Sequence, residues 1–144
     1  MTLRRSSALA LAAMLAAGAA AAAQSVEKFT ARLSWIPSAG NVRVTGKGSA
    51  SAVLSGTKLT ITGSFEGLSS PATAARLHRG VAKGARGSPI ADLTVTKDVN
   101  GAISGTVDLT PDQIESLKQG RLYIQIHSEK APEDGSNLWG WLLR

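Results

Sequence analysis

From Lys28 to Trp35 the chain reads KFTARLSW, a strict alternation with Phe29, Ala31, Leu33 and Trp35 on one face and mainly polar side chains on the other. Successive residues of a strand point to opposite faces, so this is the pattern of a half-buried β-strand. The segments 48–54 and 59–65 alternate in the same way, and Ser55, Gly56 and Thr57 between them predict a hairpin. A second hairpin is expected where Ala91, Leu93 and Val95 oppose Asp92, Thr94 and Thr96. Asn100 and Gly101 are there to take the positive φ of a tight turn, and Ile103, Gly105, Val107 and Leu109 line the inner face of the return strand. Thr110, Pro111 and Gln113 supply an N-cap hydroxyl, a first-turn proline and a capping-box partner. One short helix to about Gln119 follows from them, with Ile114 and Leu117 toward the core and Gly120 as the left-handed exit. Segments 122–127 and 138–143 are the last strands, with the polar stretch 128–136 between them as a loop. Glycine-rich, basic 80–88 is expected to be a mobile surface loop. Seven or eight strands with one helix predict an all-β fold, an antiparallel Greek-key-like β-sandwich.

The N-terminus departs from this patterning. Arg4 and Arg5 precede an Ala, Leu and Met run from Ala8 to Ala17, and an alanine tract ends at Ala23. A basic start, a short apolar stretch and a small-residue end are the three zones of a secretory signal peptide, so residues 1–23 are expected to be cleaved and residues 24–144 to form one domain. The apolar run is short of the roughly 20 residues that a spanning helix needs, so no membrane span is expected after cleavage. Of the 16 Lys and Arg, Arg4 and Arg5 fall in the leader, which leaves 14 against 10 Asp and Glu. That mild excess suits anionic surfaces outside the cytoplasm and does not argue for nucleic acid. There is no cysteine, which excludes disulfides, thiolate metal sites and thiol chemistry.

Several motifs then occur in an order that resembles one family. Gly67 to Ala75 reads GLSSPATAA and is followed by Leu77, His78, Arg79 and Gly80. SGTVDLTP spans 104–111, GRLYIQIH spans 120–127 and LWGWL spans 138–142. Together they resemble the CHRD (chordin) domain family, whose bacterial members are typically short secreted or periplasmic proteins. The resemblance implies a β-sandwich in an extracytoplasmic setting and no defined reaction. This chain also departs from the family pattern. Where the family usually has His-x-His-x-Gly, the first histidine is replaced by Arg76. Trp139 and Trp141 flank Gly140 where polar residues, commonly Arg and Gln, are usual. Trp35, Ile36, Pro37 and Ser38 stand where a Glu-Val-Pro-Pro segment is common.

The same alternation places Arg76, His78, Tyr123, Gln125, His127, Trp139 and Trp141 on non-core faces of three segments. If these segments are neighbours, the seven residues make an aromatic, basic surface suited to a protein or polymer partner. His78 and His127 are the only histidines, and in relatives with the additional imidazole this region resembles a copper or zinc site. Two imidazoles begin such a site, whereas zinc or copper usually takes three or four protein ligands and Arg76 repels a cation. No nucleophile elbow or paired acids are present, so no catalytic residue is assigned and the domain is read as non-enzymatic. Arg79, Lys83 and Arg86 are candidates for phosphate contact within the 80–88 loop. Glu129, Glu133 and Asp134 lie in a polar turn without calcium-loop spacing.

Overall fold

The computed structural model describes residues 23–36, 45–130 and 136–144. All of the expected signal peptide but Ala23 therefore lies outside the described residues, as do the loop expected at 37–41 and most of the polar loop before the last strand. The elements in chain order are β1 (Val26–Trp35), β2 (Lys47–Ser55), β3 (Lys58–Glu66), β4 (Ala72–Ala82), β5 (Ala85–Val95), β6 (Gly101–Asp108), α1 (Pro111–Lys118), β7 (Leu122–Ser128) and β8 (Ser136–Trp141). No described helix is long and apolar enough to cross a membrane.

The strands form one closed antiparallel barrel in the order β1-β2-β3-β6-β5-β4-β7-β8. The expected two-sheet sandwich is thus corrected to a single sheet that closes on itself. Closure is made where Ser34 and Trp35 pair with Trp139 and Leu138, and again where Thr30 and Leu143 exchange backbone hydrogen bonds of 2.7 and 2.9 Å. Alternation is the same in a sandwich strand and a barrel strand, so the pattern of apolar positions does not distinguish them.

The barrel interior is filled by the inward positions that alternation identified. Phe29, Ala31 and Leu33 of β1 meet Ala50, Ala52 and Leu54 of β2, Leu59, Ile61 and Phe65 of β3, and Leu122, Ile124 and Ile126 of β7, all buried. Each large aliphatic or aromatic side chain removed from water contributes about 1.5–3 kcal/mol. The helix closes one end. Thr110 Oγ1 accepts from the Gln113 backbone and the Gln113 side chain accepts from the Thr110 backbone, while Leu117 is buried and Ile114 half-buried against the core. Gly120 leaves the helix at φ 71°, in the left-handed conformation expected of it. Glu27 joins the start of β1 to Lys118 of the helix and to Arg144 at the chain end.

Three local expectations are corrected. The stretch 80–88 is the tip of a β4–β5 hairpin turning at Lys83 and Gly84, with Gly84 at φ 77°. Arg79, Lys83 and Arg86 therefore sit on strands and a turn rather than in one phosphate-holding loop. Neither Asn100 nor Gly101 has a positive φ; the connection runs from Thr96 to Asn100, and the hairpin pairs only Thr94 with Ser104 and Val95 with Ile103. Trp35, assigned inward by alternation, is 53% exposed at the barrel rim, and Ile36 is buried beyond it. The inward row runs out of barrel at that point, so its last member meets solvent.

Candidate functional site

β7 is buried on both faces, unlike its neighbours. Its inward side chains reach the core, but outward Tyr123 is also only 1% exposed and Gln125 4%. What covers them comes from the flanking strands. In register across β4, β7 and β8, His78 stands beside Tyr123 and Trp141, Arg76 beside Gln125 and Trp139, and Ala74 beside His127 and Ser136. The seven residues picked from the sequence therefore lie on one outer face, in three consecutive rows.

Tyr123 is the centre of the cluster. Its ring stacks on His78 at 4.9 Å between centroids, Trp141 lies tilted against it at 4.4 Å, and Trp139 meets it edge-on at 6.0 Å. Offset and edge-on pairs of this kind stabilise by about 0.5–1.5 kcal/mol each beyond the area they bury. Arg86 of β5 places its guanidinium carbon 5.4 Å from the Trp139 ring centroid. Arg76 is held differently, with Nε donating to Asp92 Oδ1 at 3.0 Å.

The β4–β5 hairpin closes over this cluster, a feature that alternation did not reveal. The register slips between Leu77, opposite Ala91, and His78, opposite Pro89, leaving Ile90 unmatched as a β-bulge. Beyond the slip the backbone of Gly87 bonds to the rings: its N–H donates to Tyr123 Oη at 3.1 Å, and its carbonyl accepts from that hydroxyl at 3.3 Å and from His78 Nδ1 at 3.3 Å. A Cβ at residue 87 would lie 1.8 Å from the Arg79 carbonyl oxygen, so this approach requires glycine. Gly87 is thus the site residue missed by sequence reasoning, and Arg86, expected as a phosphate contact of the 80–88 loop, instead joins the aromatic face. The signal for Gly87 was the spacing of Gly80, Gly84 and Gly87, which marks a hairpin turn between two glycines that face one another.

His78 is 7% exposed, and its Nε2 is buried without a hydrogen-bond partner. Burial first, then the like charges of His127, Arg76 and Arg86, hold its pKa below the usual imidazole value, while the Gly87 carbonyl acts in the opposite direction. The ring is therefore neutral near pH 7. Because the unfolded imidazole takes up its proton at about pH 6.5 and the folded one only lower, the contribution to stability is complete above pH 6.5 and is lost as pH falls through the folded value. Unfolding midpoints measured from pH 7.5 to 5 are expected to drop less steeply in His78→Phe, which keeps a ring and removes the titrating group. Equal slopes would assign the acid sensitivity elsewhere.

The two histidines do not share a row. His78 is opposite Tyr123 and His127 opposite Ala74, four residues along the strand, or about 13 Å at roughly 3.3 Å per residue. Arg76 and Gln125 occupy the row between them. No group of three or more His, Asp or Glu able to hold a metal ion occurs among the described residues. Glu129 is exposed after β7, and Glu133 and Asp134 lie outside the described residues.

Neither the curated proteins nor the solved structures gave a match to this chain. A family model, the CHRD domain, matches residues 29–135, from β1 through β7, and ends before the strand that carries Trp139 and Trp141. Covering well over half of the sequence and including both His78 and Tyr123, that match establishes that the chain belongs to the CHRD domain family.

Proposed function

We propose that this chain is an exported, non-enzymatic binding module that holds an extracytoplasmic protein or polymer on the outer face of β4, β7 and β8. The observation that carries the reading is the three-row cluster, in which four aromatic rings and two arginines gather on the side of a barrel strand that ordinarily faces water. Aromatic and arginine side chains dominate recognition energetics because they combine area with directed donors. The residues under the surface are tied down, Tyr123 by Gly87 and His78 by Tyr123 and Gly87, so Trp139 and Trp141 present a preorganised contact. The basic, apolar and small-residue zones of the leader support a periplasmic or secreted location.

The test is capture. The exported protein, immobilised and exposed to the extracytoplasmic fraction of its own cells, is expected to retain a defined partner that a Trp139→Ala, Trp141→Ala double variant no longer retains. Circular dichroism of the double variant establishes that the barrel persists. Undiminished capture by the folded double variant places the partner on another face and overturns the proposal.

A further inference from the structure

β4 pairs with β7 as far as Arg79, opposite Leu122, and the β4–β5 hairpin then runs on past the barrel end that α1 closes. Val81 on this extension is 74% exposed, and a Cβ on Gly84 would meet nothing within 4 Å, so the turn stands clear of the rest of the chain. It is nevertheless held in one orientation. Arg121 Nη2 donates to the Gly80 and Val81 carbonyls, each at 3.1 Å, and its Nε donates to Gly80 at 3.3 Å. Beside this anchor Leu143 Cδ2 lies 3.0 Å, and Lys83 Cδ and Cε 3.7 Å, from the position that a Cβ on Gly120 would take. Val81, the methylenes of Lys83 and the 39% exposed Leu143 therefore gather into an apolar crest at the end of the barrel.

The charges around the crest are arranged by sign. Lys83 and Arg121 adjoin Val81, and none of the ion pairs among the described residues brings a carboxylate to either. The carboxylates of this end lie off the tip: Glu27 is shared by Lys118 and Arg144, Asp108 faces Lys58, and Asp112 and Glu115 are on α1, with Glu115 turned to Gln119. Apolar groups at the end of a projecting turn, beside a lysine whose stem lies along the surface and whose ammonium is free to reach upward, have the form of an interfacial anchor. A folded protein partner fits less well, since a stable interface covers roughly 800 Å² on each side and the crest offers two large apolar side chains on a convex tip.

We propose that this end of the barrel docks on the surface of an anionic bilayer, with Val81 and Leu143 entering the headgroup boundary and Lys83 and Arg121 facing lipid phosphates. The proposal goes beyond the binding-module reading and uses neither Trp139 nor Trp141. Sedimentation of the exported protein with phosphatidylcholine vesicles, with and without phosphatidylglycerol, tests it. Binding is expected to the phosphatidylglycerol vesicles alone and to be reversed by added salt. Val81→Asp is expected to weaken it about tenfold, the burial of one valine converted to a partition ratio. Lys83→Gln is expected to weaken it about fivefold. Lys97→Gln, which removes an exposed cation at the opposite end of β5, is expected to leave it unchanged. All three side chains are exposed, so the unfolding midpoints are expected to match that of the unsubstituted protein. Equal sedimentation with the neutral vesicles overturns the choice of anionic lipid, and equal losses in Lys83→Gln and Lys97→Gln reduce the attraction to diffuse charge and overturn the tip. Undiminished binding by Val81→Asp, or no binding to either vesicle, overturns the docking. Partner capture that depends on Trp139 and Trp141 is expected to survive Val81→Asp, so failure with vesicles leaves the binding module standing, and loss of capture alone leaves the membrane docking standing.

Discussion

Tyr123→Ala is expected to cost about 3–5 kcal/mol of unfolding free energy, as large as truncating a ring inside the barrel. The reason is that Tyr123, although it points outward, is 1% exposed and touches His78, Trp139 and Trp141 at once. Its removal leaves a cavity under both tryptophans and strips Gly87 of the hydroxyl that accepts its N–H and donates to its carbonyl. Tyr123→Phe separates the two effects. It keeps the ring and is expected to lose about 1–3 kcal/mol, the cost of stranding buried polar groups. Urea denaturation of both variants measures the difference. A loss below about 1 kcal/mol in Tyr123→Ala would mean that the outer layer is solvated rather than packed.

Gly140→Val is expected to open the barrel between its first and last strands. A Cβ at residue 140 would lie 2.5 Å from the Arg32 carbonyl oxygen and 2.7 Å from Leu33 Cδ2, and the first of these is backbone that cannot rotate aside. Overpacking of this kind costs about 1–3 kcal/mol, and more where, as here, closure depends on few contacts. Among the described residues Ser34 and Trp35 pair with β8 in register, and the Ile36 N–H to the Asn137 carbonyl and the bridge between Thr30 and Leu143 are the other backbone ties. Amide exchange is expected to report the opening directly, with Thr30 and Leu143 losing protection while the amides between β2 and β3 keep theirs. Unchanged protection at Thr30 would show that β1 and β8 yield without separating.

Both predictions concern places where two backbones or two rings come together. Individual strands were legible because alternation is a local property: Phe29, Leu33, Ile61, Leu93 and Ile103 are buried as their spacing requires. The start of the helix was legible from Thr110, Pro111 and Gln113, because the capping groups of Thr110 and Gln113 act within one turn. The candidate face was legible too, since period-two spacing selects outward residues and the family motifs point to the same segments. Whether those segments touched was not.

The sequence by itself determined which residues point inward on the strands it identified, outside the 80–88 hairpin tip, where the helix begins and ends, and that seven polar and aromatic residues share the outward sense on β4, β7 and β8. It also carried the family, through motifs whose order is independent of folding detail. Only the tertiary structure decided that the sheet closes into a barrel, that Trp35 falls at its rim, and that β5 bends at a bulge so that Gly87 binds Tyr123 and His78. The physical reason is the same in each case. Facing direction is set by bonds within a few residues, whereas closure, register slip and the covering of an outer face depend on carbonyl oxygens and rings brought together from distant parts of the chain.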